Sequence, residues 1–297
     1  MKSPKVSFCI FTYNQEDYIL DALKGAASQD YDDMEIIVSD DCSSDNTAAV
    51  IKEFVEQYQG PHHFRVNINE TNMGIAKNVC KVFYELAQGD ILILADGDDV
   101  SLPNRTSITV EYFDRFPEVS SLSFFTPAVD AKLNSPGPYE KFVDQPHTFS
   151  IYNLNDFFHY DMGCLSDDSR AWRRSVIEAF PPIEYAKAED YVLYLRSFMM
   201  GSICYIREYV LLRRMHGSNT SLALPSKAGR KRSLTQFDYD IEWALSHGYI
   251  SEKVSKKLHR KMKKDMSFPY FRYPIIFLRR KLRNNSLART IYGFLKR

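Results

Sequence analysis

The sequence predicts an α/β fold built on a mainly parallel sheet. Short apolar runs of strand length recur through the first hundred residues, at Val6–Phe11, Glu35–Ser39, Phe64–Ile68 and Ile91–Ala95. Between them lie segments whose apolar residues repeat at helical spacing. Polar loops follow the first, second and fourth runs, at Thr12–Asn14, Asp40–Ser44 and Asp96–Asp99. Strand–helix–strand units of this length close a parallel sheet covered on both faces, and such sheets bind ligands beyond the carboxyl ends of their strands. The three loops are therefore the first place to look for a site; singly, each also reads as a solvated turn.

Val6–Phe11 is unbroken by charge, as a strand buried on both faces should be. Gln15–Gln29 then sets Ile19, Leu23, Ala26 and Ala27 on one helical face. After the second strand (EIIVS), Ser43–Thr47 offers capping side chains to a helix carrying Val50, Ile51, Phe54 and Val55. A turn at Gly74 follows the third strand and leads to a helix with Val79, Val82, Phe83 and Leu86. The fourth strand, ILILA, runs straight into Asp96-Gly97-Asp98-Asp99. From about residue 111 the alternation is irregular. Ser120–Val129 reads as a strand, Asn134–Pro146 as a loop and Ala188–Met200 as a helix stopped at Gly201. Ser202–Ile206 and Val210–Arg214 are strand candidates leading to His216-Gly217-Ser218-Asn219, and the basic remainder reads as helices broken near Pro225 and Pro269.

The 297 residues are 44% hydrophobic and 26% charged, which excludes a disordered chain. Formal net charge is zero, yet residues 226–297 hold 19 Lys+Arg against 5 Asp+Glu, a net of +14 that leaves −14 on residues 1–225. A basic tail on an acidic body points to an anionic surface as partner, or to the body itself. Cys9, Cys42, Cys80, Cys164 and Cys204 are scattered without zinc spacing, which reads as free thiols in a reducing compartment. With Met1–Pro4 opening directly onto a strand and no apolar run near the ~18 residues of a membrane span, the expectation is a cytoplasmic protein.

Six segments, in order, resemble the inverting family 2 glycosyltransferases of the GT-A fold: VSFCIFTYNQEDYI, EIIVSDDCSSDNT, NETNMGI, ILILADGDDV, AEDYVLYLRSFMMG and RRMHGSNTS. They cover roughly residues 5–221. The resemblance implies a nucleotide-binding half at 1–110, an acceptor half at 111–225 and a basic helical extension at 226–297. It implies transfer of a sugar from a nucleoside-diphosphate donor to an acceptor hydroxyl, with a glycan or lipid-linked acceptor in bacterial surface-polysaccharide assembly.

The same resemblance assigns roles. Thr12, Tyr13 and Asn14 with Asp40 and Asp41 would hold the nucleotide base, Asp41 favouring uracil or thymine; a capping turn ahead of the next helix is the other reading of the pair. Lys77 and Asn78 would approach the diphosphate or base, although the family's commoner Ala-Arg-Asn pattern is missing here. Asp96 and Asp98 would sit near the ribose or orient the loop. Asp99, with Asp98 and His216, would hold a divalent cation, Mn2+ or Mg2+, that neutralises the leaving diphosphate. Asp190 would be the general base, with Glu189 on the acceptor; equally, acidic residues at a helix start answer its dipole. Trp172 would stack on the acceptor sugar or belong to the core, and Asp167 and Asp168 would contact acceptor hydroxyls.

Two other functions use similar motifs. A nucleotide-sugar-binding module would not need Glu189-Asp190. A nucleotidyltransferase would want a glycine-rich, basic loop after the first strand, where this chain has FTYNQ. For the tail, Lys253–Lys264 carries seven Lys and Arg, and the aromatic FPYFRYPIIFL (268–278) follows, a pairing suited to an anionic membrane surface. Nucleic acid is not expected.

Overall fold

The computed structural model describes residues 3–134, 149–159, 169–217 and 226–267. Its centre is an eight-stranded sheet. β1 (Val6–Thr12) pairs in parallel with β2 (Met34–Asp40) on one side and β4 (Ile91–Asp96) on the other, and β3 (His63–Ile68) extends the sheet beyond β2. Across β4 the sheet becomes mixed. β9 (Arg170–Arg173) runs antiparallel to both β4 and β6 (Val119–Phe124), and β10 (Ser202–Ile206) and β8 (Phe149–Tyr152) complete it. A small second sheet joins β5 (Val100–Ser101), β11 (Leu211–Met215) and β7 (Ala128–Asp130). The architecture is α/β, as expected.

Alternate residues of the central strands feed two cores, as a side-chain period of two requires. Phe8 and Ile10 pack with Ile36, Val38, Ile91 and Ile93 beneath α1 (Ile19–Ala27), α2 (Thr47–Gln57) and α4 (Arg105–Arg115). Cys9 and Phe11 pack with Ile37, Leu92 and Leu94 on the other face. That face is covered by α3 (Ile75–Cys80) and its π-helical continuation Lys81–Leu86, by α6 (Arg174–Glu178) and by α7 (Asp190–Met200). The remaining helices are α5 (Leu154–His159), α8 (Lys227–Ser246) and α9 (Glu252–Ser267).

Several expected boundaries shift for local reasons. The first helix begins at Ile19 rather than Gln15; the residues between form a turn in which Tyr18 N and Ile19 N both donate to Gln15 O at 2.9 Å. The strand expected over 120–129 divides at Thr126–Pro127 into β6 and β7, which belong to different sheets. The basic extension is not a loose appendage over 226–267. Phe237, Ile241, Ala244, Leu258 and Met262 join the same core as α7, and Arg196 on α7 pairs with Asp240 on α8 at 2.8 Å, both fully buried. Among the described residues no helix is long and apolar enough to cross a membrane, and Cys9, Cys42, Cys80 and Cys204 are free thiols.

Candidate active site

The parallel register sets Thr12 beside Asp40 and Phe11 beside Asp96, so the loops after β1, β2 and β4 open at one sheet edge. Their polar side chains first hold one another. Asn14, at a positive φ of 52°, donates its backbone N–H to Ser43 Oγ and accepts from Ser44 N through its side chain, both at 2.8 Å. Asp40 is fully buried and accepts from the Ser43 backbone N–H at 2.9 Å and from the Ser43 hydroxyl. Asp41 accepts from Asn69 Nδ2 and Met73 N at 2.9 Å and from Gly74 N at 2.8 Å. Asn78 is buried in the same network, accepting from Ser39 Oγ at 2.6 Å. Tyr13 is 46% exposed at the mouth of these loops, Thr12 is buried beneath it, and Lys77 is exposed on α3.

The acidic loop after β4 turns tightly against β1. A Cβ on Gly97 would lie 2.5 Å from Gln15 Oε1 and 2.7 Å from Thr12 Cβ, so only glycine permits the approach. Asp98 and Asp99 are buried, Asp96 partly so. Here β11 delivers its residues. His216 Nε2 lies 2.9 Å from Asp98 Oδ2, while Asp99 Oδ1 accepts from the Arg214 backbone N–H at 2.8 Å. The Arg214 side chain donates to Asp98 O at 2.9 Å, to Ala131 O at 2.6 Å and to Asp21 Oδ2 at 2.7 Å. Tyr18 stacks on His216 with ring centroids 4.4 Å apart, and the Arg214 guanidinium lies 5.0 Å from the centre of the same tyrosine ring. Asp98 thus faces His216, and Asp99 accepts from the β11 backbone beside it.

Glu189 and Asp190 open α7, Glu189 as the cap residue and Asp190 as the first helical one. Neither caps through its side chain. Glu189 is buried, with Oε1 3.4 Å from an Arg170 nitrogen and Oε2 without a hydrogen-bond partner. Burial, reinforced by the neighbouring Asp190 charge, pushes its pKa well above the ordinary carboxyl value, and Arg170 only partly opposes this. The Asp190 side chain is 43% exposed and lies 3.7 Å from the same Arg170. Arg170 pairs across the sheet with Leu94, two residues before Asp96, so the acid pair and the acidic loop share one edge.

Trp172 requires a correction. It is 1% exposed on β9, edge-to-face with Phe83 at 5.8 Å, and its ring offers no face to a sugar. Asp167 and Asp168 lie outside the described residues. Arg170, Arg214, Tyr18 and Asp21 were missed. Arg214 had a signal, since it stands two residues before His216 and so shares its face of a strand.

Among the described residues no group of three His, Cys, Asp or Glu could hold a metal alone. Asp98 and His216 together still fit a divalent cation of the kind that takes one or two protein ligands and completes its shell with substrate phosphates.

Residues 7–180 match glycosyl transferase family 2. The chain belongs to that family. A family 2 relative in Nostoc sp., an uncharacterised glycosyltransferase, is 26% identical over 258 residues, covering 84% of this chain and 75% of its own. An uncharacterised Mycobacterium tuberculosis protein is 38% identical over 117 residues, 39% of this chain, and the match spans only 33% of that relative's length. Among solved structures, Staphylococcus aureus TarS residues 1–349 with UDP-GlcNAc gives a TM-score of 0.66 at 18% identity, covering 89% of this chain and 73% of that one. The mannosyltransferase PcManGT from Pyrobaculum calidifontis, in complex with GDP-Man and Mn2+, gives 0.56 at 17% identity, with coverage of 99% and 80%. These two likenesses give the family 2 chain a shared GT-A fold.

Proposed function

We propose that the protein is an inverting glycosyltransferase that moves a sugar from a UDP- or dTDP-linked donor to an acceptor hydroxyl by one displacement. Family membership supports the reaction class. The observation that carries the rest is the register of β9, which brings Arg170, and with it Glu189 and Asp190, beside the Asp96–Asp99 loop that meets His216.

Asp190 takes the acceptor's proton as its oxygen bonds to the anomeric carbon, a role worth roughly 10²–10⁴-fold in rate. Burial raises the pKa of Glu189, and Asp190 is the member of the pair whose side chain is open to an acceptor. Tyr13, Asn14 and Thr12, on loops pinned by Asp40 and Asp41, receive the nucleoside, and Lys77 faces the diphosphate. Asp99, with Asp98 and His216, would hold a divalent cation, which when bound would supply positive charge against the leaving nucleoside diphosphate. One imidazole beside a carboxylate suits Mn2+ better than Mg2+.

The test is transfer from UDP- and dTDP-sugars to glycan or lipid-linked acceptors in Mn2+, with Asp190→Asn in parallel. Transfer that vanishes in chelator, and an Asp190→Asn variant that binds UDP but is slowed about a hundredfold or more, are the expected outcomes. Full activity in chelator would remove the metal; a variant that loses UDP binding would make Asp190 structural.

The acceptor reading places the enzyme at the inner surface of a membrane. On α9, Leu258 and Met262 are buried, while Lys253, Lys256, Lys257, Arg260 and Lys264 are exposed, a cationic face suited to anionic headgroups. The aromatic stretch 268–278 lies outside the described residues. Co-sedimentation with vesicles containing anionic lipid, weakening with salt, is expected for the intact chain and reduced on charge reversal along that face.

A further inference from the structure

Helix α8 lies wholly beyond the segment matched by the family, yet it grips the loop that delivers the proposed base. Residues 179–189 connect α6 to α7, and the two consecutive prolines among them, Pro181 and Pro182, supply no backbone donors. The next three N–H groups are all held by side chains from elsewhere. Ile183 N donates to Cys80 Sγ at 3.1 Å, and Glu184 N and Tyr185 N both donate to Gln236 Oε1 at 2.9 Å. Gln236 is fully buried and is itself fixed, its amide donating to Asp240 Oδ1 at 2.9 Å. Asp240 in turn receives Arg196 of α7 in two contacts of 2.8 Å. A separate contact from the same helix, Trp243 Nε1 to Ala179 O at 2.9 Å, holds the residues before the prolines.

We propose that Gln236 is a positioning residue for catalysis: it fixes the 183–185 backbone and thereby the placement of Asp190, making α8 part of the active-site scaffold. The inference rests on the reading of Asp190 as base. The loop has no helix or strand of its own to hold it, and only four residues separate Tyr185 from Asp190. Misplacing a reacting group by about 1 Å costs on the order of a hundredfold in rate. The nucleotide loops after β1, β2 and β4 share no hydrogen bond with Gln236, so donor binding should be insensitive to it.

The experiment compares Gln236→Met, Gln236→Glu and the milder Trp243→Phe with the parent and with Asp190→Asn. Turnover, UDP affinity by calorimetry and hydrogen exchange over 183–190 are measured in each. Gln236→Met is expected to lose ~10- to 100-fold in kcat while UDP affinity stays within about twofold, with faster exchange confined to 183–190. Gln236→Glu, when protonated, can both accept from the loop and donate to Asp240, so its rate relative to the parent should recover as pH falls. Trp243→Phe, chosen to stay folded if the methionine variant does not, should show a smaller loss of the same kind. Parental kcat in these variants, or UDP affinity lost in step with kcat, overturns the proposal. If Asp190→Asn keeps the parental rate, the base assignment has failed instead, and the exchange data still decide whether Gln236 fixes the loop.

Discussion

Asp40-Asp41 and Glu189-Asp190 are both adjacent acid pairs, and the structure treats them in opposite ways. At Asp40-Asp41 the carboxylates are buried and aimed at backbone N–H groups, holding the ends of loops in register. At Glu189-Asp190 neither side chain caps its helix; one is buried beside Arg170 and the other reaches solvent. A carboxylate that accepts several backbone donors builds a site, and one left facing solvent beside a cation can act in it. The Asp98–His216 contact is a third arrangement, a buried carboxylate whose partner is another metal-competent side chain rather than the backbone.

This contrast can be broken by substitution. Asp98→Ala should lose about a thousandfold in transfer, the scale of removing a group that stabilises developing charge, and should weaken Mn2+ binding in the presence of UDP. Asp99→Ala beside it ranks the two, the larger loss of Mn2+ affinity marking the direct ligand. Arg214→Lys, which keeps the charge but not the forked contacts to Asp98 O, Ala131 O and Asp21, should weaken Mn2+ binding roughly ten- to hundredfold, as loss of an outer partner does. Titration of Mn2+ by paramagnetic resonance reads it directly. Asp40→Asn should bind UDP almost as the parent does and destabilise the fold by about 1–2 kcal/mol in denaturant unfolding. Lost UDP affinity at unchanged stability would mean that Asp40 contacts the nucleotide.

The smallest effect concerns Glu189. Its native pKa is raised, so the folded chain keeps a proton that the unfolded chain sheds above about pH 4.3. Stability from this residue is therefore fully present at low pH and declines as pH climbs towards the native pKa. Glu189→Gln removes that decline, and its stability relative to the parent should grow as pH rises above about 4.3. A constant difference would mean that Glu189 stays ionised in the fold.

The third of the molecule before residue 97 was legible because β1, β2 and β4 are buried nearly throughout. VSFCIF and ILILA have one reading, since nothing but a strand buried on both faces uses such runs at that length. β9 was not legible: RAWR is four residues long with two arginines, and it is central only because β4 and β6 flank it. Trp172 was misjudged for the same reason, its neighbours in sequence being polar while its neighbours in space are Phe83 and α7's core. The contacts of Asp98 and Asp99 with His216 and β11 were not legible, because their partners stand more than a hundred residues away. His216 was found as a type of residue in a pattern; Tyr18, which stacks on it, carried no such pattern.

The buried Arg196–Asp240 pair also sets an order on biosynthesis. Ribosomes release chains from the amino end at about 5–20 residues per second, and β1 to β4 can assemble as soon as residue 96 has emerged. Helix α7 is then made with a guanidinium destined for a fully buried position and no counter-charge yet synthesised. Burying a lone cation is costly enough to hold that side chain in water. The nascent protein should therefore display a paired β1–β4 sheet before α7 seats, and seating should await the emergence of Asp240.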